Sequence, residues 1–201
     1  MKIRDRILRV SPSGDSALHL SLDALERELG ALPPAPLDRG SVTLIVARHD
    51  GGVRETPHRV TLTQKEGVPG DAWARRPPRD PQGQLAVMQT DVATLIANGQ
   101  PLTLFGDNLF LSLDLSSGNL PLGSRILAGS ATLEVTPLPH DGCRKFRSRF
   151  GPDALRFVSK RDLRHRNLRG IFLRVIEPGE AGPGDEVRVL TRAMQGGHAM
   201  T

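Results

Sequence analysis

The stretch RILAGSATLEVT, residues 125–136, predicts a β-hairpin and gives the first indication of the fold. Residues 125–127 and 130–136 are rich in the aliphatic and β-branched residues that favour strands. Ala128-Gly129 between them allows a tight turn, because glycine accepts backbone conformations that other residues avoid. Two adjacent antiparallel strands are therefore expected in the second half of the chain.

Further strands are predicted on both sides of this hairpin. Residues 41–48 form a β-branched run that ends in the turn residues Asp50-Gly51-Gly52, which predicts a second hairpin. Residues 109–115 alternate leucine with other residues, as in a half-buried strand. Residues 171–176 and 186–190 predict two more strands, separated by a Gly/Pro-rich turn.

Only two short helices are predicted between these strands. Ser21 precedes an apolar repeat that stops at Gly30, and Thr90 opens a similar repeat that stops at Gly99. Residues 67–84 are rich in glycine and proline and predict a long binding loop or a disordered one. Many short strands with few helices favour a mainly β fold, a barrel or folded sheet, over a parallel α/β layout.

Composition indicates a single domain in a reducing compartment. The 201 residues include one cysteine, which excludes an internal disulfide. The N-terminus is charged where a signal peptide would be apolar, and no apolar run reaches membrane-spanning length. We expect a cytoplasmic protein without a membrane partner, in which residues 1–40 pack on a domain of residues 41–192, followed by a disordered tail, 193–201.

The positive charge is concentrated in one segment. Residues 144–169 contain ten Lys or Arg against two Asp, a net charge of +8, so the rest of a +5 chain carries about −3. An anionic partner near this segment is expected. Nucleic acid is a weaker candidate, because the segment offers only Phe146, Phe150 and Phe157 for base stacking. A basic binding module without enzymatic activity remains an alternative.

Cys143 begins this segment and is the main candidate for chemistry. A thiolate is the reactive form of cysteine, and the cationic neighbours Arg144 and Lys145 favour it. If Asp141 caps a helix, Cys143 falls in the first turn, where the helix dipole also favours an anion. The alternative is a small buried hydrophobe without reactivity. Scattered histidines show no zinc-ligand spacing, and phosphate-loop and nucleophile-elbow motifs are absent.

The order of several short motifs resembles the MOSC domain, the C-terminal domain of molybdenum cofactor sulfurases, which also occurs as a stand-alone bacterial protein. The resemblance spans roughly residues 40–190. It is carried by Gly67-Val68-Pro69-Gly70-Asp71, Gly106-Asp107-Asn108-Leu109, Leu122-Gly123-Ser124, residues 131–136 followed by Gly142-Cys143, Leu168-Arg169-Gly170-Ile171 and Gly184-Asp185.

This resemblance implies a barrel of the PK β-barrel-like type and a cleft for the pterin-bound molybdenum cofactor. It implies that Cys143 ligates molybdenum or carries sulfur as a persulfide, and some related domains reduce N-hydroxylated compounds. His140 is the candidate to take a proton from Cys143, and the alternative is that it only caps the end of a strand. Cofactor-binding candidates are Asp71 and Asn108, at motif positions suited to the pterin edge, and Arg144, Lys145 and Arg169, whose charge suits its phosphate.

Two departures from the family pattern limit these expectations. Many members have a histidine two residues after the Gly-Asp motif, where this chain has Trp73, which instead would line the pocket or anchor its loop. A desulfurase domain does not fit in 201 residues, so no pyridoxal phosphate is expected on this chain. Electrons or sulfur would come from a separate redox or sulfur-donor protein. A sulfur relay without bound metal is the alternative enzymatic reading.

Overall fold

A computed structural model describes residues 6–9, 13–75 and 77–193. In it, the hairpin predicted at residues 125–136 forms two neighbouring strands of a closed β-barrel. The strands are β1 (Arg6–Arg9), β2 (Arg39–Ile45), β3 (Ala47–Arg48), β4 (Val53–Thr56), β5 (Val60–Leu62), β6 (Leu85–Gln89), β7 (Leu109–Leu111), β8 (Arg125–Ala128), β9 (Ala131–Val135), β10 (Ile171–Glu177), β11 (Gly179–Ala181) and β12 (Glu186–Thr191). The helices are α1 (Leu22–Ala31), α2 (Ala72–Arg75), α3 (Thr90–Ala97) and α4 (Arg144–Val158).

The barrel order is β10-β6-β7-β2-β12-β8-β9. Its pairs are antiparallel except β6 and β7, which are parallel because helix α3 carries the chain from one to the other. The strands β1, β4 and β3 form a small separate sheet, and β11 pairs with β5. This architecture confirms the expected mainly β, barrel-like fold with a few short flanking helices.

Two hydrophobic clusters hold the fold together. Aliphatic side chains such as Leu109, Leu133 and Leu173, all fully buried, fill the barrel interior. A second cluster lies between the barrel and helices α1, α3 and α4, and it contains most of the buried aromatic rings. Strand β7 contributes to both clusters. Leu109 and Leu111 belong to the barrel interior, and Phe110 packs in the second cluster. The predicted half-exposed strand at residues 109–115 was therefore wrong in burial, and the ladder stops at Leu111.

Helix α4 carries the candidate site. The sequence indicated a helix near Cys143 only as a possibility with Asp141 as its cap, and the extent of α4 was not predicted. The helix bends at Gly151, whose φ of +92° is favourable only for glycine, and Pro152 restarts it. A Cβ at Gly151 would lie 2.9 Å from Nδ1 of His19, so the bend also allows the N-terminal segment to approach closely. Lys160 after the helix forms an ion pair with Glu26 of α1.

The structure describes residues 13–40 in contact with α4, as in the hydrogen bond from the Gly14 amide to the Ser148 carbonyl (3.1 Å). The division at residue 40 remains a prediction. Apart from Ala193, the tail predicted to be disordered lies outside the described residues. In the ranges that the structure describes, no helix has both the length and the apolar character needed to cross a bilayer.

Candidate functional site

Cys143 lies immediately before the first residue of α4, and its side chain is exposed. Its backbone is extended (φ −125°, ψ 176°), and its carbonyl accepts the Arg147 N–H at 3.0 Å. The expectation that Asp141 caps the helix was wrong, because the helix begins two residues later and Cys143 occupies the cap position without a side-chain cap bond. The exposure also contradicts the alternative of a buried, inert cysteine.

Gly142 fixes where this cysteine sits. A Cβ at Gly142 would lie 2.4 Å from Cδ1 of Leu155 and 3.4 Å from Cγ2 of Val158, both in the second half of α4. A Cβ at this position would push the Leu155 side chain aside, and glycine avoids this where the loop from β9 lies against the helix that it enters. The thiol is presented at the end of α4 that carries unpaired amide groups and partial positive charge.

Arg149 lies beneath the thiol, on the buried face of α4. Arg149 is 8% exposed, and one of its terminal nitrogens donates to the Leu104 carbonyl at 2.7 Å. The Nε of Arg149 has no hydrogen-bond partner. Burial lowers the pKa of the Arg149 guanidinium, and the charge of Cys143 opposes that shift. No carboxylate among the described residues forms an ion pair with Arg149.

Arg54 on strand β4 is a second cation of this kind. It is 7% exposed, donates only to the neighbouring Val53 carbonyl (3.0 Å), and leaves its Nε unpaired. Burial lowers the pKa of Arg54, the positive charges of Arg149 and Arg48 lower it further, and the negative charge of Asp71 opposes these shifts. In the described parts of the chain, no carboxylate lies within ion-pair distance of it. Sequence reasoning missed both arginines.

Two other arginines at the site are compensated. Arg48 binds Asp71 through two nitrogens, at 2.9 and 2.6 Å, and donates to the Gly106 carbonyl at 2.7 Å. Burial raises the pKa of Asp71, but the hydrogen bonds and charge of Arg48 outweigh it and lower that pKa overall. The carboxylate also accepts the backbone N–H groups of Arg48 and Trp73. Asp71 is thus occupied with protein partners, and its role toward a pterin remains a prediction.

Arg169 pairs with Asp107, at 2.8 and 3.1 Å, in a fully buried position. Its guanidinium also lies over the ring of Phe146, 5.1 Å from the centroid. Phe146 is in the first turn of α4, so this contact ties Arg169 to the end of the helix that carries Cys143.

His140 is buried next to the same pair rather than next to the thiol. Its Nε2 lies 3.5 Å from Asp107 Oδ1, and its ring packs on Phe172 at 4.3 Å. Burial lowers the pKa of His140 to about 4, although the charge of Asp107 opposes the shift. The imidazole is therefore neutral at pH 7 and a weak base. Its proposed proton transfer with Cys143 stays a prediction.

The remaining predicted residues fall into buried and exposed groups. Asn108 is fully buried; its side chain accepts the Ala86 N–H and donates to the Val46 carbonyl, both at 3.2 Å. These bonds brace neighbouring strands, and a pterin contact remains a prediction. Arg144 and Lys145 are exposed in the first turn of α4. Trp73 donates to the Asp80 carbonyl at 3.0 Å and so ties together the loop after Asp71.

The charges at the site do not cancel. Arg48 and Arg169 are balanced by Asp71 and Asp107, which leaves Arg54 and Arg149 as two surplus buried positive charges. Buried charges are strongly destabilising unless a partner compensates them. No group of three or more His, Cys, Asp or Glu side chains that could hold a metal ion by themselves occurs among the residues described. The arrangement suits an anion beside a single thiolate.

A family model of the MOSC domain matches residues 71–188, more than half of the chain, and the chain belongs to this family. The fold resembles that of the YuaD protein from Bacillus subtilis, at a TM-score of 0.55 and 20% identity over 75% of this chain and 95% of that one. It also resembles YiiM from Escherichia coli, at a TM-score of 0.51 and 18% identity over 77% and 71% of the two chains.

A third crystal structure, titled only as a hypothetical protein, matches at a TM-score of 0.56 and 21% identity, covering 77% of this chain and 68% of that one. At these identities the likenesses establish the fold alone. No curated protein gives a significant match.

Proposed function

We propose that this MOSC protein binds the molybdenum cofactor, with Cys143 as the protein ligand of the metal. The observation that carries the proposal is a pair of buried arginines, Arg54 and Arg149, that have no carboxylate partner among the described residues. Arg149 lies in α4, which begins directly after the exposed Cys143. A soft thiolate is the protein donor best suited to such a metal. The cofactor, when bound, supplies the metal, its own sulfur donors and oxo-transfer chemistry.

The surplus charge fits the phosphate of this cofactor. A phosphate monoester carries about −1.5 to −2 charges at pH 7, and Arg54 and Arg149 together carry two positive charges that no described carboxylate balances. A guanidinium group also provides several hydrogen-bond donors for phosphate oxygens. We therefore assign the phosphate to these two buried residues, with Arg169 nearby and the exposed Arg144 and Lys145 as further candidates at the rim.

The other residues of the site hold these donors in place. Asp71 fixes the Arg48 guanidinium through two hydrogen bonds, and Asp107 fixes Arg169 against Phe146. Because both pairs are internally neutral, they set the shape of the site without attracting a second anion. Gly142 keeps the Cys143 loop against α4, so the thiol faces outward.

The reaction class we propose is reduction of a small oxidised compound, including N-hydroxylated ones, in the cytoplasm. This chain offers one thiol and no redox group of its own beyond it, so a separate protein would supply electrons. The exposed cations Arg144, Lys145 and Arg147 follow Cys143 in the first turn of α4 and would attract an acidic donor.

Elemental analysis and pterin fluorescence of protein from a molybdate-fed host test the proposal. We expect about one molybdenum and one pterin per chain, and loss of the metal in Cys143→Ala. Replacing Arg54 and Arg149 by Met should remove the pterin as well, because the phosphate loses its donors. Absence of both molybdenum and pterin from wild-type protein with an intact thiol would contradict the proposal.

The exposure of Cys143 also supports a second candidate, sulfur transfer. The Cys143 thiolate attacks the outer sulfur of a donor persulfide, the donor's S–S bond breaks, the donor thiolate leaves, and Cys143 retains the persulfide. This exchange needs no additional oxidant. Release of thiocyanate by cyanide from metal-free wild-type protein, but not from Cys143→Ala, would favour this candidate.

The alternative of a basic binding module predicts that Cys143 has no role in binding. Binding of an anionic polymer through Arg144, Lys145 and Arg147 would be steeply salt-dependent and unchanged in Cys143→Ala. Metal or sulfur content that follows Cys143 would count against it.

A further inference from the structure

The bend in α4 leaves two backbone carbonyls without their usual partners inside the helix. In a straight helix the Ser148 carbonyl would accept the N–H of residue 152, which is Pro152 and has none. At Gly151, φ is +92° and ψ is 165°, which breaks the helical path that would bring the next N–H to the Arg149 carbonyl. Donors for these two carbonyls therefore have to come from outside α4.

The donors come from the N-terminal segment and from the residue that follows the end of α3. The Gly14 N–H donates to the Ser148 carbonyl at 3.1 Å. The Arg149 carbonyl oxygen lies 3.1 Å from Nε2 of His19 and 3.2 Å from Nε2 of Gln100. Because a carbonyl only accepts hydrogen bonds, both nitrogens donate, and the Nε2 of His19 carries a proton. A Cβ at Gly14 would lie 1.8 Å from the Arg149 carbonyl oxygen, so the N-terminal segment packs closely against this point.

The segment of residues 100–104 contacts Arg149 at both ends. The Gln100 side chain donates to the backbone carbonyl of Arg149, and the Leu104 carbonyl accepts from its guanidinium at 2.7 Å. The Leu104 N–H donates to the Pro101 carbonyl at 3.0 Å and closes the turn between the two contacts. Oε1 of Gln100 accepts the Asp15 N–H at 2.8 Å, which fixes the orientation of its amide. These bonds set both the start of the Arg149 side chain and the place of its charged group.

The partners of Arg149 differ in kind from those of the compensated arginines. Arg48 and Arg169 are held by the carboxylates of Asp71 and Asp107, which also neutralise them. The printed partners of Arg149 are a carbonyl oxygen, an amide and an imidazole, so they hold the residue without adding a negative charge. A cation held in one conformation binds an anion more tightly, because less freedom is lost on binding.

We propose that Gln100 and His19 are positioning residues of the anion site. They hold the Arg149 backbone at the bend of α4, so that the guanidinium keeps one orientation toward a bound phosphate. This role rests on the proposed function, in which Arg149 receives the phosphate. Since His19 precedes residues 71–188, the part that matches the family model, the N-terminal segment contributes to the site from outside that part.

Phosphate binding by the pterin-free full chain tests this role. The double variant Gln100→Met, His19→Leu removes both donors but no charge of the anion site, and it should raise the Kd of inorganic phosphate about tenfold. His19→Leu alone should raise that Kd about threefold, whereas His19→Gln keeps an N–H donor and should change it by less than about twofold. Leu133→Ala lowers stability inside the barrel and is the control, because its phosphate Kd should equal that of wild type.

The mobility of the Arg149 side chain gives a second readout, which needs no anion. From ¹⁵N relaxation of the Arg149 Nε–H without phosphate, we expect an order parameter of roughly 0.85 in wild type and below about 0.6 in the double variant. Arg169, which Asp107 holds, should keep its wild-type value in both proteins. An unchanged order parameter for Arg149 in a folded double variant would overturn the proposal.

The outcomes separate this role from the proposed function. Wild-type protein that binds no phosphate would refute the anion site and this role with it. Phosphate binding that depends on Arg54 and Arg149 but is equally tight without the two donors would refute this role alone. If the double variant does not fold, the comparison of His19→Leu with His19→Gln decides, and equal Kd values for these two variants would count against the role.

Discussion

The interior of the barrel and the layer beneath α4 bury different kinds of side chain. In the barrel, fully buried aliphatic side chains such as Leu109 and Leu133 pack in a cluster of buried hydrophobic residues. Beneath α4, aromatic rings share the space with Arg149, Arg169 and Asp107, all of them buried. The first region gains stability from removing apolar surface from water. The second keeps charged groups out of water, which favours folding only where each has a partner.

Within the layer beneath α4, the paired and unpaired arginines differ in the role that we assign to them. Asp107 and Asp71 balance two arginines, and those pairs behave as parts of the scaffold. Arg54 and Arg149 have no such partner among the described residues, and the function that we propose assigns an anion to them. Each prediction below measures one side of that contrast.

Asp107→Asn should have the largest effect. It leaves Arg169 without a counter-charge in a buried position, which we expect to lower the free energy of unfolding by about 3–5 kcal/mol. Urea denaturation measures the change, with Asp162→Asn as the control, because Asp162 is exposed and should matter by less than about 0.5 kcal/mol. Similar values for both variants would mean that the Arg169 pair does not stabilise the layer.

Leu133→Ala tests the barrel interior. Removing a fully buried leucine should lower the free energy of unfolding by about 3 kcal/mol, through lost apolar burial and the cavity left behind. Leu122→Ala, at a residue that is 61% exposed, should change it by less than about 0.5 kcal/mol. A loss below about 1 kcal/mol for Leu133→Ala would show that the interior is loosely packed.

The pH dependence of stability tests the burial of His140. Its pKa is lowered from 6.5 to about 4 in the folded protein, so the unfolded chain binds the proton more readily. The stability tied to the neutral ring is fully present above pH 6.5 and is lost as the pH falls through 4, by about 3 kcal/mol in total. His140→Phe should lose less stability over the same range. Identical pH profiles for the two proteins would contradict this account.

Arg149→Met should have the smallest effect on stability. The substitution leaves no buried carboxylate without a partner, so we expect the free energy of unfolding to change by less than about 1 kcal/mol. Arg48→Met is the matched comparison, because it leaves the buried Asp71 unpaired and should cost about 3–5 kcal/mol. Equal losses in the two variants would show that Arg149 has a structural partner and is not surplus.

The sequence predicted the scaffold better than the site. Alternating and β-branched runs identified the hairpin at β8 and β9 and the cap of α1 at Ser21, because local patterns decide them. The extent of helix α4 was not predicted, although Phe146, Arg149 and Phe150 share a buried face at helical spacing. That spacing was the one signal available for Arg149. Arg54 carried none, because its burial results from tertiary packing of β4 rather than from any local pattern.

The stability of pterin-free protein in sodium phosphate, at constant ionic strength, tests the central claim most directly. Wild type should gain about 1.4 kcal/mol in free energy of unfolding when phosphate reaches ten times its Kd. The gain should persist when the exposed Arg144 and Lys145 are changed to Met, and it should vanish when Arg54 and Arg149 are changed. The same gain in the Arg54→Met, Arg149→Met protein would contradict the account.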